Sequence, residues 1–145
     1  MVMTTERLPT VVHAALGIVL DKEQRVLISK RPAHKLGGGY WEFPGGKIEA
    51  QESPEEALIR ELKEEVNLEI LTLNKLTQYR YAYPEYDVLL EVFIVESYEG
   101  FAIGLEDQEI QWVAIEELAN YSFLEANIKV IELFRRCERN NLEKR

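Results

Sequence analysis

Glu61, Glu64 and Glu65 stand at positions i, i+3 and i+4 of a segment that reads as helix. At about 100° per residue they share an arc of roughly 100°. Like charges that close cost about 0.2–0.5 kcal/mol per pair unless a counter-ion lies between them. Converging carboxylate oxygens are what Mg²⁺ or Mn²⁺ binds. The alternative is a solvated acidic face. Just upstream, Gly45-Gly46 supplies a backbone bend, and glycine there lets a carbonyl or amide approach a ligand closely. Glu52 adds a fourth acid at the helix entrance. Arg60 is placed to pin that carboxylate or the adjoining loop. Arg60 and Lys63 offset the acidic charge only in part, because Lys63 points away.

The elements that must hold these residues are legible in outline. Ser53 is an N-cap, Pro54 takes the first helical position and Glu56 completes a capping box, so a helix runs to about Val66. Leu58, Ile59, Leu62 and Val66 form the arc expected to pack on a sheet. Asn67 falls where the chain needs a left-handed residue. Val11–Leu20 and Arg25–Lys30, around a polar tetrad, read as a hairpin. Arg31–Tyr40, with Pro32 and Gly37-Gly38-Gly39, reads as a loop. Trp41-Glu42-Phe43 reads as a short strand running into a sharp bend at Pro44-Gly45-Gly46. Leu68–Leu73, Leu76–Tyr81, Val88–Val95 and Gln111–Ile115 read as further strands, with a turn at Tyr83–Tyr86. A helical turn at Glu116–Ala119 and a terminal helix from Ala126 to about Arg139 complete the pattern. Strands mixed with two helices, without regular alternation, predict an α/β fold: a mixed sheet with a helix on each side.

The chain has 145 residues, which fits one domain over residues 1–145. Seventeen Lys and Arg against 26 Asp and Glu leave a formal charge of −9. That charge speaks against a general nucleic-acid binder and against adhesion to an anionic membrane. The single cysteine, Cys137, excludes an intrachain disulfide and fits a reducing compartment. The apolar run Val11–Leu20 is too short to span a bilayer and lacks signal-peptide flanks. The cytoplasm is therefore the expected location.

From Gly46 the chain reads glycine, five residues, Glu52, seven residues, then Arg60-Glu61-Leu62-Lys63-Glu64-Glu65-Val66-Asn67-Leu68. Residues 46–68 resemble the Nudix box, G-x5-E-x7-R-E-U-x-E-E-x-G-U, where U is a bulky aliphatic. One fixed position departs: Asn67 replaces a glycine, and Asn is among the non-glycine residues that best tolerate positive φ. The resemblance implies an α/β/α sandwich around a central mixed sheet. It also implies hydrolysis of a nucleoside diphosphate linked to another group, with Mg²⁺, or Mn²⁺, as cofactor. Glu61, Glu64 and Glu65 are then metal-binding and base-supplying carboxylates, and the Gly45 carbonyl is an additional metal ligand. Glu52 and Arg60 are the pair that orients helix and loop. Such ions neutralise phosphate oxygens and activate water, and they let an acidic protein bind a polyanion.

The likeness extends over roughly Val12–Leu133 and is strongest to the MutT branch of the family. It lies in Ile28–Arg31, in Trp41–Glu49, in Gly104-Leu105-Glu106 before Trp112, and in Ala126-Asn127. It implies that Glu106 is a further metal ligand, although Asp107 and Glu109 compete for that role. Arg31, Glu42, Phe43, Lys47 and Asn127 are implied to face the substrate. The open alternatives are a loop arginine, a core phenylalanine, a solvated lysine and an N-cap asparagine. His13 and His34 read as ordinary strand and loop residues. Trp41, Trp112 and the group Tyr79, Tyr81, Tyr83 and Tyr86 read as packing and loop-wall residues. The implied reaction is hydrolysis of 8-oxo-(d)GTP to the monophosphate and pyrophosphate, a nucleotide-pool sanitising step. The alternatives are the same chemistry on CTP or on the 5′-triphosphate end of RNA. A nucleotide-sensing domain without activity is disfavoured, because all four box acids are present. The expected partner is a small nucleotide, with no stable nucleic-acid binding, no membrane, and a monomer or homodimer.

Overall fold

The computed structural model describes residues 10–143. The expected domain limits, 1–145, therefore include termini outside the described residues. In chain order the elements are β1 (Val11–Val19), β2 (Arg25–Lys30), β3 (Trp41–Glu42), β4 (Gly45–Lys47), α1 (Pro54–Val66), β5 (Glu69–Ala82), β6 (Asp87–Glu99) and β7 (Ile110–Ala114). A 3₁₀ turn (Ile115–Asn120) and α2 (Glu125–Glu143) follow.

β1 and β6 are the parallel pair at the centre of a four-stranded sheet ordered β4-β1-β6-β5, whose other pairings are antiparallel. A three-stranded antiparallel sheet, β3-β2-β7, stands beside it. The apolar run of β1 is continuous because both its faces are buried. Ala14, Leu16 and Ile18 join a core cluster with Val130, Ile131 and Phe134 of α2. Ala15 and Val19 join the opposite cluster, with Leu58, Leu62 and Val66 of α1. β2 divides likewise, Val26 and Ile28 to one side and Leu27 to the other. The molecule is thus an α/β/α sandwich with a mixed sheet at its centre.

Four sequence expectations are corrected. β1 and β2 do not form an extended hairpin: they meet at one bridge, Leu20–Val26, and then part into different sheets. Both edges of β1 are already occupied by β4 and β6, so a tight turn alone could not set the pairing. Asp21 still builds that turn, its Oδ1 accepting the Glu23 and Arg25 amides at 3.0 and 2.7 Å. The two strands expected over 68–81 are one strand, β5, whose irregular middle is absorbed by register shifts against β6. Gly45–Lys47 continues from the expected bend as a short edge strand. Ile59 is 41% exposed, and Ala57 takes the inward place. With Ala57 at zero, the buried stripe spans about 0–180°, Ile59 falls at about 200°, and Glu65 falls inside at about 80°.

α1 carries the expected caps. Ser53 and Glu56 exchange both capping-box bonds, at 3.1 Å each, and Asn67 closes the helix at φ 63° and ψ 31°. Among the described residues no helix is long and apolar enough to cross a membrane.

Candidate active site

α1 brings its acids to β4 because the glycine pair allows contact. Gly45 has φ +150°, and a Cβ on it would lie 2.0 Å from the Ala15 carbonyl oxygen. A Cβ on Gly46 would lie 2.4 Å from the Glu61 carboxyl carbon. Glu61 therefore rests directly over backbone that only glycine leaves open. Along β1–β4 the ladder bonds include Gly17 N–H to Pro44 O and Ile48 N–H to His13 O, both 2.9 Å. Alternation leaves Leu16–Gly45 as a non-hydrogen-bonded pair. Both polar groups of Gly45 therefore turn outward from the ladder. Its amide donates to Glu65 Oε2 at 3.1 Å.

Arg60 joins helix and loop. Its Nε and Nη2 donate to the two Glu52 oxygens at 2.7 and 2.9 Å, and Nη2 also reaches the Lys47 carbonyl at 3.1 Å. Both targets open in the sequence reading, Glu52 and the loop, are held. The Arg60 bonds, with the Glu49 amide, hold the Glu52 carboxyl down to about 2. Nη1 donates to Glu61 at 2.9 Å and to Glu64 at 3.3 Å. Glu64 is otherwise open to solvent.

Glu65 is 7% exposed, and burial pushes its carboxyl up to about 8. The Gly45 amide opposes that rise, while the charges of Glu42, Glu106 and Glu61 add to it. Burial also raises Glu61 against the pull of Arg60, and raises Glu42 against Arg31. A cleft of about 40 Å³ brings together Arg31, Lys35, Glu42, Glu65, Glu106 and Gln108. Of the three acids weighed after Gly104, Glu106 faces this cleft. Asp107 occupies a turn at φ 60°, and Glu109 accepts from Gln111. Among the described residues no three acids converge closely enough to cage an ion, because Arg60 draws Glu61 and Glu64 to itself. The donor set nevertheless suits a hard cation: several carboxylates and an outward carbonyl surround a buried acid that has one amide partner.

Arg31 donates to both Glu42 oxygens at 3.4 and 3.2 Å and to the Leu36 carbonyl at 2.9 Å, so it organises the glycine-rich loop. Lys47 is exposed on β4. Phe43 is 1% exposed, in the core beside Phe123. Asn127 is not an N-cap: it is the third residue of α2, 4% exposed, and its Oδ1 accepts the Phe43 amide at 3.1 Å. Tyr83 closes the same end, its hydroxyl accepting the Ala126 amide at 3.1 Å. His34 is exposed in the loop. A larger groove of about 960 Å³ lies along the far half of α2, lined by Arg135, Arg139 and Glu132 among others, away from all of these groups.

Sequence reasoning missed two residues. Gln108 bridges Glu106 and Glu65; its only sequence signal is its place four residues after a turn glycine. Glu91 is buried on β6 within an ionic cluster of its own, and a lone charge inside an apolar strand was the signal available.

The sequence profile of the NUDIX domain matches residues 15–133. The chain belongs to the Nudix family and is a hydrolase of that family. Within the family its likeness is to the MutT branch. It is 34% identical over 122 residues to the 8-oxo-dGTP diphosphatase of Escherichia coli K12, covering 84% of this chain and 95% of that one. It is 30% identical over 119 residues to the CTP pyrophosphohydrolase of the same organism, covering 82% and 88%. A solved structure from work on MutT of Aliivibrio salmonicida and Vibrio cholerae superposes with a TM-score of 0.76 at 38% identity, covering 85% of this chain and 95% of that one.

Proposed function

We propose that this chain is a Mg²⁺-dependent nucleoside triphosphate pyrophosphohydrolase that converts 8-oxo-(d)GTP to the monophosphate and pyrophosphate. It acts in the cytoplasm, as one domain over residues 1–145. The observation that carries this reading is a buried acid that, among the described residues, has no cationic partner of its own and sits among further acids. Glu65 is buried among Glu42, Glu61 and Glu106 with a single amide as partner. The names of the relatives support the substrate class, since the 8-oxo-dGTP diphosphatase matches over most of both chains.

Glu61, Glu64, Glu65, Glu106 and the Gly45 carbonyl would hold the ion, and Mn²⁺ suits the same oxygens. When bound, the ion neutralises phosphate oxygens and makes water acidic enough to attack. Water oxygen bonds to one phosphorus of the α–β bridge, the P–O bond from that phosphorus to the bridging oxygen breaks, monophosphate and pyrophosphate separate, and the water proton passes to a carboxylate of the cluster. In so coupled a set that proton belongs to the cluster as a whole. Arg60 and Glu52 keep the box loop against α1. Arg31 and Lys47 supply positive charge for the phosphates, Glu42 steadies Arg31, and Phe43 backs the base site. Asn127, with one lone pair engaged by the Phe43 amide, presents its –NH₂ to the edge of the purine.

A second reading, the same chemistry on CTP, is favoured by the 30% identity to the CTP pyrophosphohydrolase. The test is a panel with Mg²⁺ comparing kcat/KM for 8-oxo-dGTP, dGTP, CTP, a dinucleoside polyphosphate and triphosphorylated RNA. The expected result is highest for 8-oxo-dGTP. A higher value for CTP or RNA would overturn the substrate assignment, and robust turnover in excess EDTA would overturn the mechanism.

A further inference from the structure

We infer that Gln108 is a positioning residue that sets the spacing between Glu106 and the acids of α1, and through it the affinity of the site for a divalent cation. The inference rests on the metal-binding role proposed above. Gln108 Oε1 accepts the Glu106 amide at 2.8 Å, and its Nε2 donates to the Glu65 carbonyl at 2.9 Å. One side-chain amide thus joins the backbones of two carboxylates on the same cleft. The Glu65 carbonyl lies in the last turn of α1, where carbonyls have no partner within the helix. It also accepts the Leu105 amide at 3.0 Å, and the neighbouring Val66 carbonyl accepts the Ile103 amide at 3.0 Å. The 103–108 segment is therefore docked on the helix end at three points.

The turn is built around this side chain. A Cβ on Gly104 would lie 2.2 Å from the Gln108 carbonyl oxygen and 3.1 Å from its Oε1. Asp107 takes φ 60° to close the loop. Among the described residues the Glu106 carboxylate has no hydrogen bond or ion pair, so its place depends on its backbone. The role needs an amide: one end must accept and the other donate, which neither a carboxylate nor an aliphatic chain does. Outer contacts of this kind govern metal affinity, and their loss costs about 10–100-fold.

The test is Mn²⁺ titration of the nucleotide-free protein, following free Mn²⁺ by electron paramagnetic resonance, for wild type, Gln108→Met and Glu106→Gln. Both variants are expected to bind Mn²⁺ about 10-fold more weakly. In kinetics Gln108→Met recovers kcat as metal is raised, with KM for the nucleotide unchanged. If Glu106→Gln weakens binding and Gln108→Met matches wild type, the positioning role fails while the metal reading stands. If neither weakens binding, Glu106 is no ligand and both fall. Should Gln108→Met not fold, Gly104→Ala disturbs the same turn from the backbone, and wild-type Mn²⁺ affinity in it would overturn the proposal.

Discussion

Glu65 and Glu91 lie on the same face of the four-stranded sheet and are 7% and 2% exposed. Their registers are linked: Glu91 stands beside Ala15, and Ala15 beside Gly46, over which Glu61 rests. Two strand spacings, roughly 9.5 Å, separate the ends of that row. Burial alone would raise both carboxyls. At Glu91 the rise is outweighed by Lys75 at 2.8 Å, Gln78 at 2.9 and 3.0 Å and His13 at 3.0 Å, which hold the carboxyl down to about 2. At Glu65 one amide faces three neighbouring acids, and the carboxyl rises to about 8. The fold supplies cations to one buried acid and a single amide to the other. On the proposed function, the first burial is a structural device and the second leaves room for an added cation.

The largest effect should come from breaking the end that holds Glu61, Glu64 and Glu65. Glu64→Gln should lower kcat/KM at least about 100-fold, or about 2.7 kcal/mol of transition-state stabilisation. Activity above about a tenth of wild type would count against the metal site. Glu65→Gln should be as inactive, yet its metal-free Tm measured above pH 8, where the wild-type carboxyl is ionised, should equal or exceed that of wild type, because a neutral amide replaces a costly buried charge. A fall of several degrees would blur the distinction from Glu91.

Glu91→Ala should do the reverse. Removing one member of a buried ionic set costs about 3–5 kcal/mol, reduced here to about 2–3 because Lys75 and His13 are partly exposed. Its kcat/KM while folded should stay within about threefold of wild type, measured below the unfolding transition. A catalytic loss larger than the stability loss explains would show that the two ends are coupled.

Asn127→Ala should reduce the preference for 8-oxo-dGTP over dGTP about tenfold, the scale of one discriminating polar contact. An unchanged ratio would remove Asn127 from base recognition.

The smallest effect is a pH dependence at the neutralised end. The Glu91 carboxyl is lower in the fold than its ordinary 4.5, so its stabilising contribution is complete above about pH 4.5 and lost as pH falls through about 2. Urea unfolding at pH 6, 4 and 3 should show Glu91→Gln losing less stability than wild type over that range. Parallel curves would mean that Lys75, Gln78 and His13 do not hold the charge.

How much was legible depended on range along the chain. α1, its capping box and the left-handed Asn67 follow from contacts within about four residues. The bend at Gly45-Gly46 is readable from the residue types; that Glu61 rests against its backbone is shown only by the structure. The strand pairing was not. β1 and β2 are adjacent in sequence with a good turn between them, yet β1 pairs with β4 and β6, and nothing local distinguishes those partners. Ile59 and Glu65 were misjudged because a helix reveals its periodicity but not the direction of its inward face.

The amino-acid order alone determined that four acids, an arginine and a glycine bend would meet on one helix and its approach, because helix geometry and backbone sterics act over a few residues. Only the tertiary structure decided which of those acids would be buried. It also decided that Glu42, Glu106 and Gln108 would join them, and that Glu91 would find its own partners. A charge's surroundings are set by segments far apart in sequence, and the cost of burial is felt only once they pack together.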